Sequence, residues 1–183
     1  MHFLSAYPKM SLKVLDIHST VDLFTAVANG LVDVAITYLE YREKGLICEP
    51  LLKIYRHVYA SPDYIKKYGC PRTVAELVEH NCLVSTRNAP DSVWFFEGSS
   101  IKVSGSYQSN SPAHVVSAAE EGLGLIWSTE SLVANEVKKG SLVKIELDHP
   151  ACEMGLAIYY RPVYAGHPVK VFVEFVKAYL NRE

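Results

Sequence analysis

Leu12-Lys13-Val14-Leu15-Asp16-Ile17-His18-Ser19-Thr20-Val21-Asp22-Leu23-Phe24 opens the stretch that decides the fold, and Asn29-Gly30-Leu31-Val32-Asp33-Val34-Ala35-Ile36-Thr37 closes it. Apolar residues fall at Leu12 and Val14 and again at Leu15 and Ile17, which predicts a strand. After Ser19-Thr20, the residues Val21, Leu23, Phe24, Val27, Ala28 and Leu31 recur at helical spacing, with Gly30 near the stop. A Ser or Thr at that point can accept hydrogen bonds from the free backbone N–H groups of the first helical turn. Val32 to Thr37 reads as a second short apolar strand. Strand, capped helix and strand make a βαβ unit, whose two strands run parallel.

Working outward, Ile47 to Ala60 reads as one or two strands with a kink near Glu49-Pro50. Ser61-Pro62-Asp63 starts a short helix that Gly69 ends, and Thr73 to Glu79 fits another, with Thr73 and Glu76 placed as a capping box. Cys82 to Ser85, Val93 to Phe96 and Ile101 to Tyr107 are expected strands. Ser109-Asn110-Ser111-Pro112 opens a helix through Glu121, and Leu123 to Trp127 is a further strand. Ser128-Thr129 is expected to cap a helix that stops at Gly140. Leu142 to Leu147 and Leu156 to Tyr160 are strands, and Val169, Phe172, Val173, Val176 and Leu180 stripe a closing helix from Pro168. Alternation of strands and helices predicts an α/β fold.

The chain has 183 residues, 49% hydrophobic and 21% charged, which is enough to bury one sizeable core or two small ones and excludes wholesale disorder. Its formal charge of −2 lacks the basic excess expected of a surface that grips nucleic acid. No apolar run approaches the roughly 20 residues that span a bilayer. The first residues have neither the basic start nor the long apolar core of a secretory signal. Cys48, Cys70, Cys82 and Cys152 are widely spaced and read as free thiols, so a cytoplasmic location is expected.

Catalytic signatures are absent. There is no phosphate-binding G-x-x-x-x-G-K-[ST] loop and no G-x-S-x-G elbow. Gly122-Leu123-Gly124 lies after a helix and before a strand, the reverse of a dinucleotide fingerprint, and reads as a helix end with a tight turn. The seven histidines form no His-x-x-x-His pair, so no metal and no cofactor is expected. Acid–base chemistry by Asp22, Asp33 or His57 would need a partner at diagnostic spacing, which the sequence lacks, so no catalytic residue is expected. What remains are polar helix starts at Ser19-Thr20 and Ser109-Asn110-Ser111. Unpaired N–H groups and the positive dipole end there attract carboxylates and phosphates, although simple capping uses the same residues.

Taken in order, a set of short pieces resembles the effector-binding domain of LysR-type transcriptional regulators. They are Phe3-Leu4-x-x-Tyr7-Pro8, Leu12 to Ile17, Asn29 to Ile36, Tyr59-Ala60-Ser61-Pro62-Asp63-Tyr64, Gly69-x-Pro71 and Glu79-His80-Asn81-Cys82-Leu83. Trp94-x-Phe96, Ser109-Asn110-Ser111, Ala118-x-x-x-Gly122-Leu123-Gly124-Leu125, Lys139 to Val143 and Val171 to Val176 continue the series. The resemblance implies a two-lobed, periplasmic-binding-protein-like (type II) fold, with residues 1–59 and 156–183 in lobe I and 60–155 in lobe II. Crossover strands would lie near Tyr55 to Ala60 and Pro150 to Leu156, an effector site between the lobes, and a homodimer built through the first lobe.

The resemblance places effector contacts at Ser19 or Thr20, where the second strand ends, and at Asn110 to Ala113, where a helix opens. Ser128-Thr129 stands where the family often has Leu-Pro. With Trp127 beside it, this departure adds a polar and aromatic wall or merely caps a helix. The expected lining is therefore Ser19, Thr20, Asn110, Ser111, Trp127 and Ser128, with Arg87 as a charged partner or a solvated surface residue. The family's DNA-binding helix-turn-helix is absent from this chain, so DNA would be reached only through it. The domain's first strand would also precede Phe3, leaving a slot between Leu12–His18 and Val32–Thr37. Another segment or a neighbouring chain is expected in that slot, rather than direct pairing of its two walls. A free-standing solute-binding protein is the alternative function, and a redox sensor using Cys70 and Cys82 is a further one.

Overall fold

The computed structural model describes residues 2–17, 20–38, 45–164 and 168–180. In chain order its elements are α1 (His2–Ala6), α2 (Thr20–Ala28), β1 (Val34–Tyr38), β2 (Ile47–Ala60), α3 (Pro62–Tyr68), a 3-10 turn (Ala75–Glu79), β3 (Cys82–Ser85), β4 (Val93–Phe96), β5 (Ser99–Lys102) and β6 (Gln108–Ser109). There follow α4 (Pro112–Glu120), β7 (Leu125–Thr129), α5 (Glu130–Lys139), β8 (Val143–Ile145), β9 (Cys152–Tyr160), a second 3-10 turn (Pro162–Tyr164) and α6 (Pro168–Leu180). The chain divides into two compact units, Met1–Lys53 with Met154–Glu183, and Ile54–Glu153. Both β2 and β9 contribute residues to each.

In the second unit the order across the sheet is β2, β7, β3, β6, with β8 also on β2. β7 runs antiparallel to β2 and parallel to β3, and β3 runs parallel to β6. Alternate residues enter two separate cores, as the period of two in a strand requires. Val58, Ala60, Cys82, Val84, Leu125 and Trp127 pack with Tyr64, Leu77, Trp94 and Phe96. Tyr59, Leu83 and Ile126 face the other way, onto Val115, Val116 and Ala119 of α4 and Val133 of α5. Burial on both faces explains why these strands read as apolar runs rather than as alternating patterns.

Local signals held where they closed turns. Ser61 Oγ accepts from Tyr64 N–H at 3.2 Å to cap α3. Thr73 Oγ1 accepts from Glu76 N–H at 3.3 Å, and Glu76 reaches back to Arg72 N–H at 2.8 Å. Gly122 ends α4 at φ +77°, and a Cβ on Gly124 would lie 2.1 Å from the Asn81 carbonyl oxygen, so the turn into β7 needs both glycines.

In the first unit, β1 pairs antiparallel with β9, from Val34↔Tyr160 to Tyr38↔Leu156. Phe24 and Val27 of α2 pack with Ala35, Ala157 and Tyr159 on one face. Ile158 and Tyr160 face Val169 and Val173 of α6 on the other. Phe3 of α1 meets Phe172 and Phe175 edge-on at 5.0 and 5.3 Å between ring centres. Glu49 is held by Tyr160 Oη and by Lys177 Nζ, the latter at 2.5 Å.

Three expectations are corrected. Residues 11–17 have no regular secondary structure, and Leu12, Val14 and Leu15 are 46%, 82% and 50% exposed. Among the described residues, that segment forms no ladder, so the parallel βαβ unit is not formed and β1 takes its pairing from β9 instead. Among the described residues the two walls of the slot form no strand ladder with each other. Ile101 to Tyr107 divides into the end of the β4–β5 hairpin and the approach to β6. The Leu123 to Trp127 strand is shifted to Leu125–Thr129, which makes Ser128 a strand residue instead of a cap. His18, Ser19 and the side chain of Thr20 lie outside the described residues, so the expected cap on α2 does too.

Candidate functional site

β3, β6 and β7 run parallel, and all three end in hydroxyl residues: Ser85, Ser109 and Ser128-Thr129. Ligands of open α/β sheets gather outside the carboxyl ends of parallel strands. The ladders align these residues. His57 on β2 lies opposite Ser128, and Ser85 lies beside Ser109. The β3–β7 ladder pairs Cys82↔Leu125 and Leu83↔Ile126, and extending that register by two residues puts Ser85 level with Ser128 on the same face. His57, Ser128, Ser85 and Ser109 thus form one row across four strands. By the same alternation the row shares the face of Tyr59, Leu83 and Ile126, onto which α4 and α5 pack.

The row is polar and incompletely bonded. Ser128 and Ser85 are 3% and 7% exposed, and neither hydroxyl has a hydrogen-bond partner. Such a group costs about 1–3 kcal/mol when left without one, so its retention points to a partner that binds there. Two helices begin beside it. Ser111 precedes α4 and Thr129 precedes α5, and neither makes a side-chain capping bond. Ser109 Oγ accepts from Ser111 N–H at 3.1 Å, and Thr129 Oγ1 lies 3.3 Å from Ser131 Oγ. Helix starts without a side-chain cap, next to unbonded hydroxyls, suit an anion.

At the β2 end, His57 Nε2 stands 3.6 Å from Glu130 Oε1 at the start of α5. Burial, and then the nearby Lys144 ammonium, hold the imidazole below its ordinary pKa, against the opposing pull of Glu130 and Glu146. His57 also borders a cavity of about 410 Å³, which Arg56, Phe96, Lys144, Glu146 and His149 help to line. The serines do not line this cavity, so His57 is the member of the row common to both.

The expected residues fall in different places. Ser128 is a member of the row, Ser111 precedes the α4 start beside it, and Asn110 is exposed in the bend between β6 and α4. Trp127 points to the opposite face from Ser128, buried against Trp94 with ring centres 6.4 Å apart, and the Arg56 guanidinium lies 4.7 Å from its ring centre. Arg87 is exposed in the turn after β3. Ser85 and His57 were not among the expected lining residues. The one signal for Ser85 is a hydroxyl closing the apolar run Cys82-Leu83-Val84, and His57 becomes visible only through the β2–β7 register.

Cys82 is fully buried, its thiol donates to Leu77 O at 3.3 Å, and desolvation pushes its pKa up to about 12. A thiol held protonated is a poor nucleophile, which counts against redox sensing through Cys82. Among the described residues no three metal-ligating side chains cluster, and no helix is long and apolar enough to cross a membrane.

Comparison with known proteins gives this geometry a family. The chain is 29% identical over 171 residues to the HTH-type transcriptional activator TtdR of Escherichia coli (strain UTI89 / UPEC), covering 91% of this chain and 52% of that protein. It is 26% identical over 183 residues to the HTH-type transcriptional regulator CrgA of Neisseria meningitidis serogroup B, covering 95% and 58%. It therefore spans about half the length of the curated relatives it matches. The solved structure of CrgA, a LysR-type transcriptional regulator from Neisseria meningitidis, superposes with a TM-score of 0.86 at 24% identity, covering 98% of this chain and 61% of that one. The full-length Vibrio cholerae virulence activator AphB gives 0.82 at 23%, covering 97% and 61%. Residues 1–181 match the model of the LysR substrate binding domain, and the chain belongs to that family.

Proposed function

We propose that this domain senses a small anionic effector for a LysR-type transcriptional regulator. The observation that carries the reading is the pair of buried, unbonded hydroxyls, Ser85 and Ser128, beside the starts of α4 and α5. The two compact units serve as the family's two lobes. The domain is cytoplasmic, acts as a homodimer and performs no catalysis; DNA is contacted by a helix-turn-helix outside this chain. Ser19, Thr20 and Asn110 enter the effector site through the polar helix starts and the resemblance, and Arg87 through its place in the loop after β3. For the effector to regulate anything, it must bind two arrangements of the protein with different affinities.

A thermal-shift panel of malonate, inorganic phosphate and their neutral analogues tests this. A true ligand at about 100-fold excess over its Kd adds about 2.7 kcal/mol, or about 5–11 °C in Tm for a chain of this size. Ser128→Ala removes the hydroxyl and leaves the strand intact, so the shift shrinks while the unliganded Tm holds. A panel in which no anion shifts the wild-type protein sinks the proposal.

A further inference from the structure

We infer that His57 is the proton-linked member of the effector site, so that anion affinity rises as pH falls. The inference rests on the proposed effector reading and adds its regulation. His57 lies opposite Ser128 in the β2–β7 ladder and on the same face, while its other side borders the cavity against β8. An anion held by the Ser85 and Ser128 hydroxyls therefore has one imidazole at the end of its row. The groups facing that imidazole are Glu130 from α5, Lys144 from β8, Glu146 just after that strand, and Tyr59 from its own strand, at 6.4 Å between rings. Lys144 and Glu146 lie 3.2 Å apart and largely answer each other. The Glu130 carboxylate is mostly exposed, and its 3.6 Å approach exceeds the usual range of a direct N–H···O bond. An arriving anion can take its place.

The sign follows from linkage. In the free protein burial and Lys144 favour the neutral ring. A bound anion favours the imidazolium and raises the pKa, so binding takes up a proton. Affinity is then flat above the bound-state pKa, climbs as pH falls between the two values, and is flat again below the free-state value.

The test uses malonate as probe. Calorimetric titrations at about pH 5.5 and about pH 8, with affinity expressed per malonate dianion because the second malonate carboxyl itself takes up a proton in this range, should show binding at least about fivefold tighter at the lower pH. The His57 ring proton signal, assigned by its loss in His57→Asn, should titrate at higher pH with malonate present. In His57→Asn the ratio of dianion affinities at the two pH values should fall to about one, whatever the absolute affinity, and Ser128→Ala should weaken binding at both pH values. Wild-type binding that is independent of pH, with an unmoved His57 titration, overturns the role of His57 and leaves the effector site standing. Absence of malonate and phosphate binding at both pH values overturns the site and this inference together. The ring titration is read on wild-type protein, so poor folding of a variant does not decide the outcome.

Discussion

Two segments of this chain carry nearly the same sentence. Leu12 to Thr20 carries apolar residues at Leu12, Val14, Leu15 and Ile17, broken by Lys13 and Asp16, and ends in His-Ser-Thr at a helix that Gly30 follows; Leu125 to Thr129 is an apolar run ending in Trp-Ser-Thr before a helix that Gly140 closes. The second is a strand at the middle of a sheet, with β2 on one side and β3 on the other. The first has no regular structure over residues 11–17, and Val14 is 82% exposed. Their patterns do not differ enough to explain this. Their neighbours do: a strand exists by the hydrogen bonds its edges make, and only β7 has them.

The comparison is broken most forcefully at the turn into β7. Gly124→Ala puts a Cβ 2.1 Å from the Asn81 carbonyl oxygen, against backbone that cannot swing aside. Separating β7 from β3 to make room should cost about 3–5 kcal/mol, read as a lower denaturant midpoint with little change in slope. Loss below about 1 kcal/mol would show that β3 does not hold β7 as argued.

A smaller effect tests what stabilises the first unit instead of a Leu12–Ile17 strand. Glu49 joins β2 to Tyr160 of β9 and Lys177 of α6. The Lys177 bond, then the Tyr160 bond, hold its carboxyl below the ordinary value of 4.5. A lowered folded pKa means the contribution is full above the unfolded value and lost as pH falls through the folded one. Glu49→Gln should therefore cost about 1 kcal/mol at neutral pH, with the difference from wild type closing in acid. A constant difference across the acid range would assign the cost to packing.

How much was legible follows the same division. Capping and turn signals act over a few residues, so Ser61, Thr73, Gly122 and Gly124 could be read directly. The apolar stripe of α6 likewise located that helix. Pairing is not local. Nothing in Val32 to Thr37 announces an antiparallel partner 120 residues on, and nothing in Leu12 to Ile17 tells whether a partner is at hand. The site divides alike: polar helix starts marked Ser111 and Ser128, but only the register adds Ser85 and His57 to the row and sends Trp127 to the other face.

Ser128→Ala sharpens the contrast between the two Ser-Thr ends. A buried hydroxyl without a partner opposes folding, so its removal should leave stability unchanged or raise it by up to about 1 kcal/mol in the unliganded protein. A loss above about 1 kcal/mol in urea melts would mean that Ser128 caps or bonds something structural.

The smallest expected effect falls on the segment that reads as a strand and is not one. Val14→Pro deletes a backbone N–H and fixes φ, a change that removes ladder bonds from any paired central strand. In β7 such a change would be ruinous. At Val14 no ladder is present to lose, and the side chain is mostly in solvent. The 183-residue chain should therefore keep its stability to within about 0.5 kcal/mol. Hydrogen exchange supplies the companion reading on the wild type: amides of residues 12–17 should exchange near unstructured rates, while Ile126 and Trp127 report openings close to global unfolding. If Val14→Pro destabilises the chain by several kcal/mol, or if residues 12–17 are protected, then the segment has found an edge to pair with. The difference between the two runs would then lie in which neighbour each has, rather than in whether it has one.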